Sequence, residues 1–188
     1  MLVLVLAGVA VGALLGAGIA LIKTVADPMT QLPSITFWLM GGLNAITLHD
    51  LQITAPFILA GLAPMVLLRW RVDLLSLPDE EALALGVRVW QLRVMLVASA
   101  TLATAAAVSV AGIIGWVGLV VSHMARMIVG PAFSRLLPAS LLLGCGFLVV
   151  ADTLARTAAS IELPLGILTA MVGAPFFLFL LARGGGRE

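Results

Sequence analysis

The chain has 188 residues, of which 62% are hydrophobic and only 10% are charged, and its mean hydropathy is +1.21. A soluble chain of this length buries too little of its surface to hide so many apolar side chains, so an ordinary soluble domain is excluded. The net charge of +1 argues against a basic nucleic-acid-binding face, and the single Cys145 excludes an intrachain disulfide and a multi-cysteine metal site. We therefore expect an all-α, polytopic membrane helix bundle.

Six apolar runs are candidates for membrane spans, each of which needs about 20 mostly apolar residues. They lie near 2–22, 52–68, 94–111, 113–129, 138–156 and 165–182. The sequence predicts a tight turn at Ala111, Gly112 and Ile113 between the third and fourth spans. Pro138 and Pro164 fit helix starts, where a missing N–H has no cost. Residues 2–22 are predicted to be a mature helix and not a signal peptide, because Met1 is followed at once by apolar residues without a basic n-region, and the stretch is long enough to span.

Two features stand out around the first span. Gly8, Gly12 and Gly16 recur every four residues, a spacing that gives a smooth face on which another helix can pack closely. The following segment, 23–51, includes the apolar stretch 37–42, which is too short to cross a bilayer. This stretch predicts an interfacial or re-entrant piece with Trp38 at headgroup depth.

The distribution of Lys and Arg predicts the orientation, because cytoplasmic connections collect positive charge. With the N-terminus inside, two basic residues fall on the outer side, Lys23 and Arg156. Eight fall on the cytoplasmic side, and these are Arg69, Arg71, Arg88, Arg93, Arg126, Arg135, Arg183 and Arg187. The asymmetry predicts that both termini are cytoplasmic.

The cytoplasmic segment 70–92 is too rich in leucine for a free loop. Acidic residues follow Pro78 directly, as is typical of a helix N-terminus, where the helix dipole favours negative charge. Gly86 fits the end of that helix. The pattern predicts one or two short amphipathic helices lying across the cytoplasmic side.

Motifs for catalysis are missing from the sequence. It has no Walker motif, no HExxH and no GxSxG, and His49 and His123 are predicted on opposite sides of the membrane. An intramembrane enzyme would need polar groups facing each other at mid-membrane, whereas the predicted spans nearly lack ionisable residues at their centres. We predict no catalytic residue, metal or cofactor. Asp152 and Arg156 share a helix face, either as a simple intrahelical pair or as a functional pair.

Several stretches, taken in order, resemble the FecCD-type permeases of ABC importers for iron–siderophore complexes, haem and cobalamin. They are FWLMGGL (37–43), LLSLPDEEALALGV (74–87), GIIGWVGLVVSHMARMIVG (112–130), LLPASLLLGCGFLVVADTLAR (136–156) and ELPLGILTAMVGAPFFLFLL (162–181). The resemblance covers nearly the whole chain. Ser122 and Pro78 depart from it, standing where the family has proline and glycine.

The resemblance implies a type II ABC importer permease with ten transmembrane helices, of which this chain holds about six in one permease domain, 1–188, lacking about four N-terminal helices. It implies a bacterial inner-membrane subunit, paired as a homodimer or heterodimer, driven by separate ATPase subunits and supplied by a periplasmic or lipid-anchored binding protein. The alternative is a truncated, non-transporting permease fragment. The resemblance places the binding-protein contact at Arg156. It places the ATPase coupling segment within 70–92, at Leu75, Leu77, Asp79, Glu80, Ala82, Leu83, Leu85 and Gly86.

Overall fold

The computed structural model describes the backbone of residues 2–157 and 163–184, and the side chains of 5–157 and 163–178. The side chains of Arg183 and Arg187, which the charge asymmetry includes, lie outside these residues. The described chain forms helices and no strand, which confirms the all-α fold. The helices are α1 Leu2–Val25, α2 Gln31–Leu39, α3 Leu48–Leu67, α4 Arg69–Asp73, α5 Asp79–Ala84, α6 Val89–Ala111, α7 Val117–Val129, α8 Phe133–Thr157 and α9 Leu165–Gly184. A 3-10 turn, Leu74–Ser76, lies between α4 and α5.

Four helices of the described chain are long and apolar enough to cross a membrane. They are Val5–Val25 within α1, Leu48–Leu67, Val89–Ala111 and Phe133–Thr157. Two shorter apolar helices, Val117–Val129 and Leu165–Leu178, occupy the fourth and sixth predicted spans. The predicted helical membrane bundle is therefore confirmed, with the fourth span shorter than a full crossing.

Four predicted span starts differ from the structure by four or five residues. Those at 52 and 94 are late, since the helices begin at Leu48 and Val89. The span at 113–129 begins only at Val117, because 112–116 is not helical and has positive φ at Gly112 and Trp116. The span at 138–156 begins five residues earlier, at Phe133, so Pro138 lies inside α8 instead of at its start. Pro138 is the sixth residue of α8, so the bond that its N–H would have donated to Ser134 O is missing, a cost that proline at the first helical position does not have.

The chain divides into two compact units, Met1–Leu39 and Met40–Glu188. The first unit consists of α1 and α2, joined by a turn in which Asp27 Oδ2 accepts hydrogen bonds from the backbone N–H and the hydroxyl of Thr30. Within that unit the glycine face of α1 is open, with nothing near Gly8, Gly12 or Gly16. None of the described side chains of α1 is buried, as expected of a helix whose surroundings are lipid or another helix.

The second unit is a bundle in which α3 packs along α6, α7 packs on α8, and α9 packs on both α7 and α8. The contact between α3 and α6 is close at Gly61, where an added Cβ would lie 2.7 Å from Ser99 O. Only glycine allows this approach. With 23 residues, α6 is about 33 Å long and separates two ends of the bundle. We call these the connector end, where α6 begins, and the junction end, where it finishes.

Candidate functional site

The connector, residues 68–88, joins the end of α3 to the start of α6. It contains α4, the 3-10 turn and α5, so the prediction of one or two short helices in this segment is confirmed. The helix α5 starts after Pro78, whose extended backbone leads into Asp79, Glu80 and Glu81 in the first turn. These carboxylates complement the positive end of the helix dipole.

Gly86 terminates α5 in a left-handed conformation, with φ +80°. Its N–H donates to Leu83 O at 2.9 Å, and the N–H of Val87 donates to Ala82 O at 3.0 Å. This pair of bonds is the Schellman arrangement that satisfies the last carbonyl groups of a helix. The helix end predicted at Gly86 is therefore present.

Beneath the connector lies a small apolar cluster. Ala82, Val87 and Leu92 are its buried members. The half-buried side chains packed around them include Leu68 and Leu75. The connector is thus anchored to the bundle by side-chain packing and does not hang free.

The structure separates the eight predicted coupling residues into three groups by their exposure. Leu75 and Ala82 point into the apolar cluster, and Ala82 is fully buried. Leu77 is half-exposed. The other five are exposed, namely Asp79, Glu80, Leu83, Leu85 and Gly86. Leu83 and Leu85 keep 63% and 61% of their surface accessible, so the connector presents an apolar surface that its own unit does not cover.

Sequence reasoning missed several exposed side chains beside these leucines. Trp90 is 77% exposed at the start of α6, and Trp70 is 68% exposed in α4, where the Arg69 guanidinium lies 5.6 Å from its ring centroid. Arg93 is paired with Asp79, its Nη2 lying 2.9 Å from Oδ1. The signal was available, since tryptophan next to arginine is typical of a membrane interface.

Asp73 ties the connector to α8. Its Oδ1 accepts a hydrogen bond from the backbone N–H of Ser134 at 3.3 Å, in the first turn of a helix 61 residues further along the chain. The first N–H groups of a helix have no intrahelical acceptor, so this carboxylate acts as a cap supplied by a distant segment. The connector is therefore fixed to two parts of the bundle.

The junction end is built from three segments, 40–42, 111–116 and 165–166, which together we call the backbone junction. Gly42 N donates to Ala111 O at 2.9 Å, and Gly166 N donates to Met40 O at 3.1 Å. A Cβ on Gly41 would lie 2.6 Å from Ile113 O, and one on Gly166 would collide with Met40 O. Glycine is required here because backbone meets backbone.

The non-helical segment 112–116 precedes the short α7. A helix of 13 residues is about 18 Å long, less than the roughly 30 Å hydrocarbon core. The five residues before it are irregular, and Gly112 at their start has φ 68°. Trp116, the last of them, has a left-handed backbone at φ 68°, and its side chain packs against Gly173 and Phe177 of α9. Irregular backbone at membrane depth is tolerated where protein surrounds it.

Arg156 lies near the end of α8, at the junction end. Its Nε donates to Asp152 Oδ2 at 2.8 Å, one helical turn back, which confirms that the two share a face. The neighbouring Ala151 and Ala155 are buried against Leu165. The Arg156 side chain is 48% exposed. Arg156 and the connector thus occupy opposite ends of the bundle.

Among the described residues no group of three His, Cys, Asp or Glu side chains is close enough to hold a metal ion. His123 packs edge-on against Phe176, with ring centroids 6.4 Å apart, while His49 lies in the first turn of α3. Cys145 is exposed on α8. These residues form no catalytic constellation in the described part of the chain.

These features define the class of protein. A bundle of apolar helices, with an anchored connector at one end and a close-packed backbone junction at the other, is a polytopic membrane protein of the transporter-permease type. The sequence profile of the FecCD transport family matches residues 1–183. The chain belongs to the FecCD transport family.

Individual relatives agree. The chain is 43% identical over 183 residues to the "probable iron chelatin transport system permease protein" of Helicobacter pylori, covering 97% of this chain and 56% of that protein. It is 38% identical over 192 residues to the molybdate import system permease protein MolB of Haemophilus influenzae, covering 100% and 57%. It is 44% identical over 178 residues to the cobalamin import system permease protein BtuC of Halobacterium salinarum, covering 95% and 47%.

The fold is also that of a solved transporter. A structure described as an inward-facing conformation of a metal-chelate type ABC transporter matches with a TM-score of 0.90 and 38% identity, covering 97% of this chain and 61% of that one. The chain therefore spans about half the length of the curated relatives it matches.

Proposed function

We propose that the chain is part of the permease of an ABC importer that moves a metal chelate across the inner membrane. The observation that carries the proposal is the connector, an anchored amphipathic segment whose Leu83 and Leu85 are exposed together in a fold that matches a metal-chelate type transporter. Exposed apolar side chains on a fixed support are typical of a surface that a protein partner covers.

In this proposal the connector is the contact for the ATPase subunits. Leu83 and Leu85 supply apolar anchors, and Glu80 lies on the same short helix. Leu75 and Ala82 have a different role, because they pack inward and hold the segment in place. Hydrolysis of ATP occurs in the partner, and the permease changes the side on which its pathway is open.

The orientation follows from charge. Among the seven arginines of the second unit whose side chains are described, only Arg156 lies near the junction end. The other six lie at or near the connector end, and these are Arg69, Arg71, Arg88, Arg93, Arg126 and Arg135. Positive charge collects on the cytoplasmic side, so the connector end is cytoplasmic and the junction end faces outward. Arg156, nearly half exposed at the outer end, is the docking point for a carboxylate of the binding protein.

The substrate class is the iron chelate, with haem and cobalamin as the other candidates. The names of the relatives support this group, since they include iron chelatin and cobalamin permeases, and one relative is named for molybdate. A dimer of permease subunits completes the pathway.

The test is reconstitution of the chain, with its ATPase and binding protein, in lipid vesicles, measuring both ATP hydrolysis and uptake of an iron–siderophore. Leu83→Asp with Leu85→Asp is expected to lower binding-protein-stimulated hydrolysis more than tenfold, because a buried carboxylate without a partner costs several kcal/mol, on the order of 3–5. The matched control is Leu83→Met with Leu85→Met, which keeps the surface apolar. Full stimulation of ATP hydrolysis in the aspartate variant would mean that the ATPase contact lies elsewhere.

The second arm concerns the outer end. Arg156→Glu is expected to slow association of the binding protein about tenfold at low salt, with a smaller loss at high salt, since exposed charges act mainly by steering. Arg135→Glu makes the same change of charge at the connector end and should leave association unaltered. Equal association rates for wild type and Arg156→Glu would contradict the assignment.

A further inference from the structure

The connector end holds a second feature, a groove whose lining does not include the exposed Leu83 and Leu85. This groove of about 440 Å³ opens between the end of α3, the residues after α5 and the start of α6. Its lining comprises Leu68, Arg71, Gly86, Val87, Arg88, Gln91, Leu92 and Met95. The groove is amphipathic. Val87 and Leu92 of its lining are buried, and we call them its floor, whereas Arg71, Arg88 and Gln91 are exposed, and we call them its rim.

The two rim arginines differ from others nearby. Arg93 is neutralised by Asp79. Arg71 and Arg88 make no ion pair with a carboxylate of the described residues, and both are exposed. The one acidic side chain close to Arg71 in the chain, Asp73, is turned to Ser134. The rim therefore carries two positive charges that attract an anion.

The floor favours a ligand that is partly apolar. Val87 and Leu92 are buried at the base, and Leu68 and Met95 continue the apolar surface onto the spanning helices α3 and α6. A headgroup phosphate at the rim, with its glycerol and first acyl carbons along Leu68 and Met95, would satisfy both halves of the groove. Phosphate and arginine match in charge and in their hydrogen-bonding geometry.

We propose that this groove binds an anionic phospholipid, with Arg71 and Arg88 on the headgroup phosphate and Gln91 donating beside them. Basic pockets between transmembrane helices on the cytoplasmic side are suited to such headgroups, because the lipid there is anionic. Trp70 in α4 and Trp90 in the first turn of α6 are both exposed, and tryptophan favours the interfacial depth that the lipid headgroup would share. The site does not depend on which substrate is moved or on whether transport occurs.

The test uses the full chain, solubilised in a neutral detergent and titrated with phosphatidylglycerol, with bound lipid counted by native mass spectrometry. Arg71→Gln with Arg88→Gln is expected to weaken retention roughly 25-fold, about fivefold for each arginine near an anionic headgroup. Arg135→Gln removes the same charge from the same end of the bundle and should leave retention within about twofold. Arg71→Lys with Arg88→Lys should restore most of the binding.

Two further arms separate the sources of phosphate. Phosphatidylcholine should bind poorly, and an excess of inorganic phosphate should leave phosphatidylglycerol in place. Displacement by inorganic phosphate would assign the groove to a free anion and overturn the proposal. The proposal would also be overturned if Arg135→Gln weakened lipid retention as much as the double variant does, since retention would then reflect overall charge. The single variants Arg71→Gln and Arg88→Gln provide the same comparison where the double variant does not fold.

Discussion

The junction end and the connector end of the bundle are held together by different means. At the junction, three segments meet with backbone against backbone, and Gly41 and Gly166 leave no room for a side chain. At the connector, short helices rest on buried Ala82, Val87 and Leu92, while Leu83 and Leu85 remain exposed. The difference teaches that the junction is closed by contacts within the chain itself, whereas the connector leaves an apolar surface that its own unit does not cover.

The largest expected effect tests the crowding of the junction. Gly41 and Gly86 both have positive φ, at +71° and +80°, but only Gly41 is hemmed in, whereas an added Cβ on Gly86 meets nothing within 4 Å. Gly86→Ala should lower the free energy of unfolding by about 1 kcal/mol, because alanine disfavours the left-handed backbone conformation. Gly41→Ala should lower the free energy of unfolding by about 3 kcal/mol, because steric overlap with Ile113 adds to the cost of the backbone conformation.

The measurement is denaturant unfolding of both variants in detergent micelles, followed by tryptophan fluorescence. Unfolding of the two alanine variants at the same denaturant concentration would contradict the expected difference in crowding between the two ends. If only Gly41→Ala lowers the free energy of unfolding, the turn after α5 accommodates alanine at position 86 without strain.

A smaller effect concerns the cap that joins the connector to α8. Asp73→Ala removes the acceptor for Ser134 N and should destabilise the second unit by about 1 kcal/mol. Asp73→Asn retains an oxygen acceptor and serves as the control. Hydrogen exchange at the start of α8 should accelerate in the alanine variant only, and unchanged exchange would show that Asp73 does not hold the connector in place.

The smallest effect is expected for the ion pair between Asp79 and Arg93. Both side chains are largely exposed, at 63% and 45%, so their coupling in a double-mutant cycle with alanine should be about 0.5 kcal/mol and should fall as salt is raised. A coupling well above about 1 kcal/mol would mean that the connector end is held by charge as firmly as by its apolar cluster.

Hydropathy predicted most of the bundle but not its irregular parts. Long apolar runs have few alternatives to a helix in lipid, so α1, α3 and α6 were all found. The predicted starts of α3 and α6 are four and five residues late, because polar residues such as Asp50 and Arg93 interrupt the apolar runs there. The start of α7 was wrong because Ile113, Ile114 and Trp116 are apolar whether or not the backbone is helical. Pro138 misled the start of α8, because proline fits the first helical position whereas here it is the sixth residue.

In the connector, too, the sequence pattern predicted the helix but not how its side chains pack. The acidic residues after Pro78 and the glycine at 86 predicted a short helix with both of its ends. Which leucines face outward was not predictable, because Leu75, Leu83 and Leu85 are chemically alike and only the fold separates the first from the other two. Nor did the sequence indicate that Gly41 and Gly166 meet, since they are 125 positions apart.

The glycine at position 61 has a mechanical consequence. Because α3 approaches the carbonyl of Ser99 so closely there, sliding of α3 along α6 would drive atoms of one helix through those of the other. We therefore expect the two helices, each about 30 Å long, to move together as a rigid pair. Because the connector joins one end of α3 to one end of α6, we expect a force on it to tilt the pair and not to change the spacing between the two helices.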